Sequence, residues 1–224
     1  MAVAKTGGPR AVARRGKIET PKAVRLRAGR SAVVGRNTSE TRIRVAVNVD
    51  GTGKASIETG VPFLDHMLDA LARHSLMDLD IAARGDVHID DHHTVEDVGI
   101  ALGQAFDHAL GDKKGISRFG HAEVPLDEAL VAVTVDLSGR PFFVYNVKIR
   151  QHRVGTFDID LVNDFLQALM NAAKMNLHVN QRYGRNAHHI IEATFKALAR
   201  ALQQAVVRDP RVRGVPSTKG SLRG

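Results

Sequence analysis

His92-His93-Thr94-Val95-Glu96 and His188-His189-Ile190-Ile191-Glu192 are two copies of one word, His-His-x-x-Glu, set 96 residues apart. Imidazole and carboxylate at three- and four-residue spacing share one side of a helix, which is how a helix start offers several metal ligands together. The two adjacent imidazoles of each word diverge by about 100° around the axis, so one word can reach toward two different ions. The 224-residue chain has no cysteine. Thiolate sites and disulfides are therefore excluded, and histidine and carboxylate are the strong ligands that remain. Such a donor set suits manganese, iron, nickel or zinc. Open positions for water and substrate favour manganese or iron over closed tetrahedral zinc. The expectation is a two-metal enzyme.

The words need elements to hold them. Each opens a stretch of helical periodicity, over 94–110 and 187–207. The first of these buries Val95, Val98, Leu102 and Phe106. Earlier helices are expected from Pro62, with Phe63, Leu64, Met67, Leu68 and Leu71 in phase, and over 159–173. Strands are expected at 41–49, 54–59, 77–83, 129–137, 142–149 and 175–180, with Asp50-Gly51-Thr52-Gly53 turning the first two into a hairpin. The order strand, strand, helix, strand, helix thus occurs twice. Residues 64–71 align with 162–169 at an offset of 98, and the words align at 96, so one connection differs by two residues. The expected fold is α+β and internally duplicated. Each half is a sheet of roughly four strands with two helices on one face, and the helices pack between the sheets. The expected organisation is a basic arm over 1–34, a first half-repeat over 35–126 and a second over 127–224, with 35–224 as one catalytic domain.

The alignment sets Asp164 where the first half has His66. If His66 is a ligand, Asp164 offers oxygen in place of nitrogen; its other reading is an acid placed favourably near a helix N-terminus. Asp90-Asp91, just before the first word, read either as acceptors for ligand imidazoles or as helix caps. His88, His108, His121 and His152 read as structural or exposed. Arg118, Arg140 and the tail Pro216-Ser217-Thr218-Lys219-Gly220 combine cations, hydroxyls and backbone amides, a match to phosphate.

The net charge of +8 is unevenly spread. Residues 1–36 hold ten Lys/Arg and one acid, a balance of +9, which leaves −1 for the rest. The basic arm reads as a disordered tail, a transit peptide or a nucleic-acid-binding segment. The folded part lacks the positive charge that nucleic-acid binding requires, and no apolar run reaches membrane length.

Five stretches together resemble one family. They are Thr59-Gly60-Val61-Pro62-Phe63-Leu64-Asp65-His66-Met67-Leu68, the run from Gly85 to Asp97 around the first word, Asp136-Leu137-Ser138-Gly139-Arg140-Pro141, Ala187-His188-His189-Ile190-Ile191-Glu192-Ala193 and Pro216-Ser217-Thr218-Lys219-Gly220. The chain from about Gly35 to its C-terminus is similar to imidazoleglycerol-phosphate dehydratases of histidine biosynthesis. The resemblance implies dehydration of D-erythro-imidazole glycerol phosphate to imidazole acetol phosphate through a metal-bound imidazolate. It implies a cytoplasmic shell of 24 identical subunits with two manganese ions per active site, at subunit interfaces. Import into an organelle through the arm is the alternative location. The implied metal ligands are His66, His92, His93, Glu96, His188, His189 and Glu192; one further family histidine is matched here by Asp164. The implied substrate contacts are Glu40, His74, Arg118, Arg140, Lys196, Ser217 and Lys219. Glu192 leads as the acid/base group, with Glu40 second. Rival readings are a metal-dependent hydrolase on the same ligands, and a catalytically weakened homologue that retains metal-dependent assembly. Asp164 supports the second, and the retained phosphate positions oppose it.

Overall fold

The computed structural model describes residues 29–222. Most of the basic arm lies outside these residues. Strand β1 (Ser31–Asn37) begins within the range read as arm, so the boundary expected at 34 moves back to 31. The elements that follow are β2 (Thr41–Asn48), β3 (Ala55–Glu58), α1 (Pro62–Ser75), β4 (Asp78–Gly85) and α2 (His92–Leu110). The second half holds β5 (Phe119–Leu126), β6 (Ala129–Asp136), β7 (Phe142–Asn146), the short pair β8 (Arg153–Val154) and β9 (Phe157–Asp158), α3 (Asp160–Ala173), β10 (Asn176–Tyr183) and α4 (Ala187–Val206).

Two four-stranded sheets form, in the orders β1-β2-β4-β3 and β5-β6-β10-β7. In each, the first two pairings are antiparallel and the last is parallel. The duplication therefore holds strand for strand. The expected hairpin at 50–53 does not form. β4 takes the free edge of β2, and β3 lies beyond β4, parallel to it. The cause is local: Asp78 Oδ1 accepts from Thr52 N at 2.8 Å and Lys54 N at 2.9 Å. These bonds tie the turn to the start of β4 and lead the chain past β2. The two-residue offset is also placed. His92 lies seven residues beyond the end of β4, and His188 five beyond the end of β10.

The helices lie between the sheets, α2 on β1 and β2, α4 on β5 and β6. Their pairing crosses the halves: α1 packs on α4, and α2 on α3. Gly99 and Gly103 let α2 and α3 close up, because a Cβ there would stand 2.8 Å from Phe165 O and 2.5 Å from Leu169 O. Leu71, Leu102, Leu169 and Leu202, one from each helix, meet Val47, Leu79 and Met175 at the centre. Each such side chain contributes about 1.5–3 kcal/mol on burial. This core fixes the helix pairs, and the pairs fix which side chains face each other at their ends. Among the described residues no helix is long and apolar enough to cross a membrane.

Candidate metal centre

The Asn186 side chain starts α4 by accepting from His188 N at 2.9 Å. The word thus occupies the first turn, and its four-residue spacing brings Glu192 Oε2 to 2.9 Å from His188 Nε2. Helix α1, packed on α4, carries His66 Nε2 to 3.3 Å from the same oxygen. Among the described residues this trio alone brings three donor atoms within 4.8 Å of one another. Donors held about 2.1 Å from one divalent ion stand about 3 Å apart, so the trio fits such an ion. Lys196 Nζ lies 2.7 Å from the other oxygen, Glu192 Oε1. Partial burial pushes the Glu192 carboxyl up, but hydrogen bonds from Lys196 and His188 and the Lys196 charge outweigh it and hold the group at about 2. His74 stands two turns after His66, and burial, then the charges of Lys196 and Arg200, lower its pKa.

The duplication builds a second, looser cluster from the other helix pair. Asp164 on α3 faces His92 on α2, with Oδ2 3.4 Å from Nδ1, and Glu96 Oε2 lies 4.0 Å from His92 Nε2. These side chains border a groove of about 450 Å³ lined also by Ile100, Gln104, Gln167 and Asn171. Asp164 thus stands toward the first word as His66 stands toward the second.

The second histidine of each word turns away from its cluster. The rings of His92 and His93 are 6.1 Å apart at 80°, those of His188 and His189 6.2 Å apart at 81°. His93 Nδ1 lies 3.1 and 3.2 Å from the Asp86 oxygens and 3.9 Å from Glu40 Oε2. His189 Nδ1 lies 2.6 Å from Glu128 Oε2, with exposed Asp127 3.6 Å from Nε2. These carboxylate contacts raise both imidazole pKa values, and the His189 bond is the first cause of the fall of Glu128 to about 2. Sequence reasoning missed Asp86, Asp127 and Glu128. A signal existed for the last, since Glu40 and Glu128 each immediately precede the long strands β2 and β6. Of the two aspartates before the first word, Asp90 takes the capping role and accepts from His92 N at 2.9 Å.

The basic residues gather elsewhere. Arg118 donates through Nε and Nη2 to Asp136 at 2.6 and 3.0 Å, and through Nη1 to Pro216 O at 2.9 Å, which fastens the tail. Ser217 Oγ accepts from Lys219 N within that tail. Arg140 is exposed, and its carbonyl accepts from Asn176 Nδ2. Arg118 N donates to Ala205 O, near the last turn of α4. Ala205 lies 17 residues beyond His188, about 25 Å along a helix. One chain therefore holds the His66, His188 and Glu192 trio at one end of α4 and Arg118 with the fastened tail at the other.

A family model described as imidazoleglycerol-phosphate dehydratase matches residues 59–202. The chain is 59% identical over 194 residues to the imidazoleglycerol-phosphate dehydratase of Janthinobacterium sp. (strain Marseille), which covers 86% of this chain and 98% of that one. It is 58% identical over 193 residues to that of Geobacillus kaustophilus, covering 86% and 99%. The crystal structure of the Staphylococcus aureus enzyme of the same name superimposes with a TM-score of 0.73 at 38% identity, over 80% of this chain and 99% of that one.

Proposed function

The chain belongs to the imidazoleglycerol-phosphate dehydratase family, and from that premise we propose that it works with two divalent cations, manganese by preference, in active sites shared between subunits of a 24-subunit homo-oligomer. The enzyme is a hydro-lyase of histidine biosynthesis that acts on imidazole glycerol phosphate. The observation that carries the metal reading is the trio His66, His188 and Glu192, with donor atoms within 4.8 Å of one another. His92, Glu96 and Asp164 hold the matching places at the other helix pair in a looser arrangement, with Asp164 beside Nδ1 of His92 and Glu96 beside Nε2, and His93 and His189 extend each word outward toward further donors.

The difficulty of the reaction is that no carbonyl activates the leaving hydroxyl or the neighbouring C–H, so the imidazole ring must supply the push. Divalent cations held by these residues would supply Lewis acidity and a template for the substrate. Glu192, ionised and turned toward His66 and His188, takes the proton from the carbon beside the one that loses hydroxide. It delivers that proton to the carbon that lost hydroxide as the enol becomes the ketone, the enol O–H proton leaving with the hydroxide as water; Glu40 is the second group able to do so. Lys196 and His74 line the approach to Glu192. Arg118, Arg140, Ser217 and Lys219 hold the phosphate, whose binding energy positions the reacting carbons.

Shared sites follow from size. Imidazole glycerol phosphate is roughly 10 Å long at about 1.5 Å per bond, too short to bridge the roughly 25 Å between His188 and the Arg118 end of α4. With Arg118 on the phosphate, this reading has Glu192 of one subunit meet Arg118 of another. Co-assembly of Glu192→Gln with Arg118→Ala chains is therefore expected to restore roughly a quarter of wild-type water-loss activity, since about that share of sites in a symmetric assembly receives both intact residues. Mixed assemblies no more active than the separate variants would exclude shared sites.

Asp164 tests the second ion. Asp164→His is expected to change Mn²⁺ affinity at one site and to shift metal preference toward zinc or nickel, because a neutral imidazole replaces a half-exposed carboxylate opposite His92. Unchanged affinity and metal content by titration and elemental analysis would show that position 164 is not a ligand.

A further inference from the structure

The two halves do not use their equivalent carboxylates alike. Glu40 and Glu128 occupy matching places, each the last residue of a hairpin turn and each just before the first residue of the sheet's second strand, Thr41 or Ala129. Each faces Nδ1 of the second histidine in its half's word. Their distances differ: Glu128 Oε2 is 2.6 Å from His189 Nδ1, and Glu40 Oε2 is 3.9 Å from His93 Nδ1. The longer loop of the first half explains the difference. Residues 86–91 include Asp86, which takes His93 Nδ1 at 3.1 Å. The corresponding loop of the second half, Gly184-Arg185-Asn186, has no acid. Glu128 is locked in place there, because its Oε1 accepts from Asn186 N at 2.7 Å and Arg185 N at 3.0 Å.

We infer that Glu128 is a positioning residue that fixes the tautomer of His189, that Asp86 does the same for His93, and that this substitution of partners releases Glu40 to move protons. The inference rests on the metal reading above. A carboxylate on Nδ1 keeps the proton on that nitrogen and leaves the Nε2 lone pair bare for a cation. Asp127, 3.6 Å from Nε2 and 74% exposed, is too distant to hold a proton there against the 2.6 Å bond on the other side. Glu40, half exposed, has no bond of comparable length to His93 and stays free to turn toward substrate.

Glutamine at 128 gives the sharpest test. Its one oxygen belongs on the two backbone N–H donors, which leaves its amide NH₂ facing His189 Nδ1. That arrangement moves the imidazole proton to Nε2, the wrong tautomer for binding a cation. Alanine removes the carboxylate but dictates no tautomer. The experiment titrates Mn²⁺ into metal-stripped wild-type, Glu128→Gln, Glu128→Ala, Asp86→Asn and Glu40→Gln chains, with the unbound ion followed by electron paramagnetic resonance. Thermal unfolding in chelator checks the fold of each. The expected result is a loss of about 10- to 100-fold in affinity for one ion in Glu128→Gln, a smaller loss in Glu128→Ala, a comparable loss in Asp86→Asn, and none in Glu40→Gln, whose defect appears in kcat alone. A merely structural role predicts the reverse order, with alanine worse than its near-isosteric glutamine; that order, or wild-type affinity in Glu128→Gln, overturns the assignment. Wild-type protein that takes up no Mn²⁺ would overturn the metal reading first, and this inference with it.

Discussion

Glu192→Gln is expected to lower kcat for water loss about 10³-fold, within the range that a positioned acid–base group contributes, while KM changes by no more than a few-fold. The wild-type carboxylate is surrounded on both oxygens. Oε2 meets His188 at 2.9 Å and His66 at 3.3 Å, and Oε1 meets Lys196 at 2.7 Å. Those contacts hold it near 2, so at neutral pH it is ionised and ready to accept. A carboxylate held this low is a weak base, so its contacts must loosen as substrate binds for it to take a proton from carbon. Glutamine has almost the same volume, keeps an oxygen for one neighbour and cannot accept a proton. The helix start, held by Asn186, and the apolar packing of α4 are untouched, so the subunit assembly should persist. Steady-state kinetics beside light scattering checks both halves of the expectation. Near-normal turnover would remove Glu192 from the role.

Removal of divalent metal is expected to abolish turnover entirely, with recovery on adding Mn²⁺, and to shrink the assembly. The reason lies in how few donors one chain provides. The trio would fill three positions of a six-coordinate ion, and His93 and His189 point away from the clusters of their own chain. Substrate, water and another subunit must supply the rest. On the proposed reading, a cation at such a place would join chains as well as activate the ring, so chelation should weaken both. Dialysis against chelator, followed by activity and mass measurements before and after Mn²⁺ is restored, tests this. Full activity in protein shown to be metal-free by elemental analysis would end the metal reading.

The helices and their histidine words were legible because a 3.6-residue apolar period and a fixed ligand spacing are local properties of the chain. The duplication was legible for the same reason, and Asp164 stands fifth in α3 as His66 stands fifth in α1. The position of β3 was not. A two-residue period tells which face of a strand is buried, whereas the edge it joins depends on Asp78, 24 residues from Lys54. β1 and β5 escaped notice because glycine, histidine, arginine and proline interrupt their apolar phase. Glu128 was hidden by distance along the chain, 61 residues from His189. The separation of Arg118 from Glu192 was hidden too, since spacing within motifs says nothing about which end of a helix a later loop returns to.

The crossing of helix pairs between halves has a consequence for ancestry. Each cluster draws one helix from either half, α1 with α4 or α3 with α2. A solitary half-length precursor would have owned the words but never a finished cluster. Two identical short chains paired as the halves are now would build two equal clusters, which one continuous chain is free to make different.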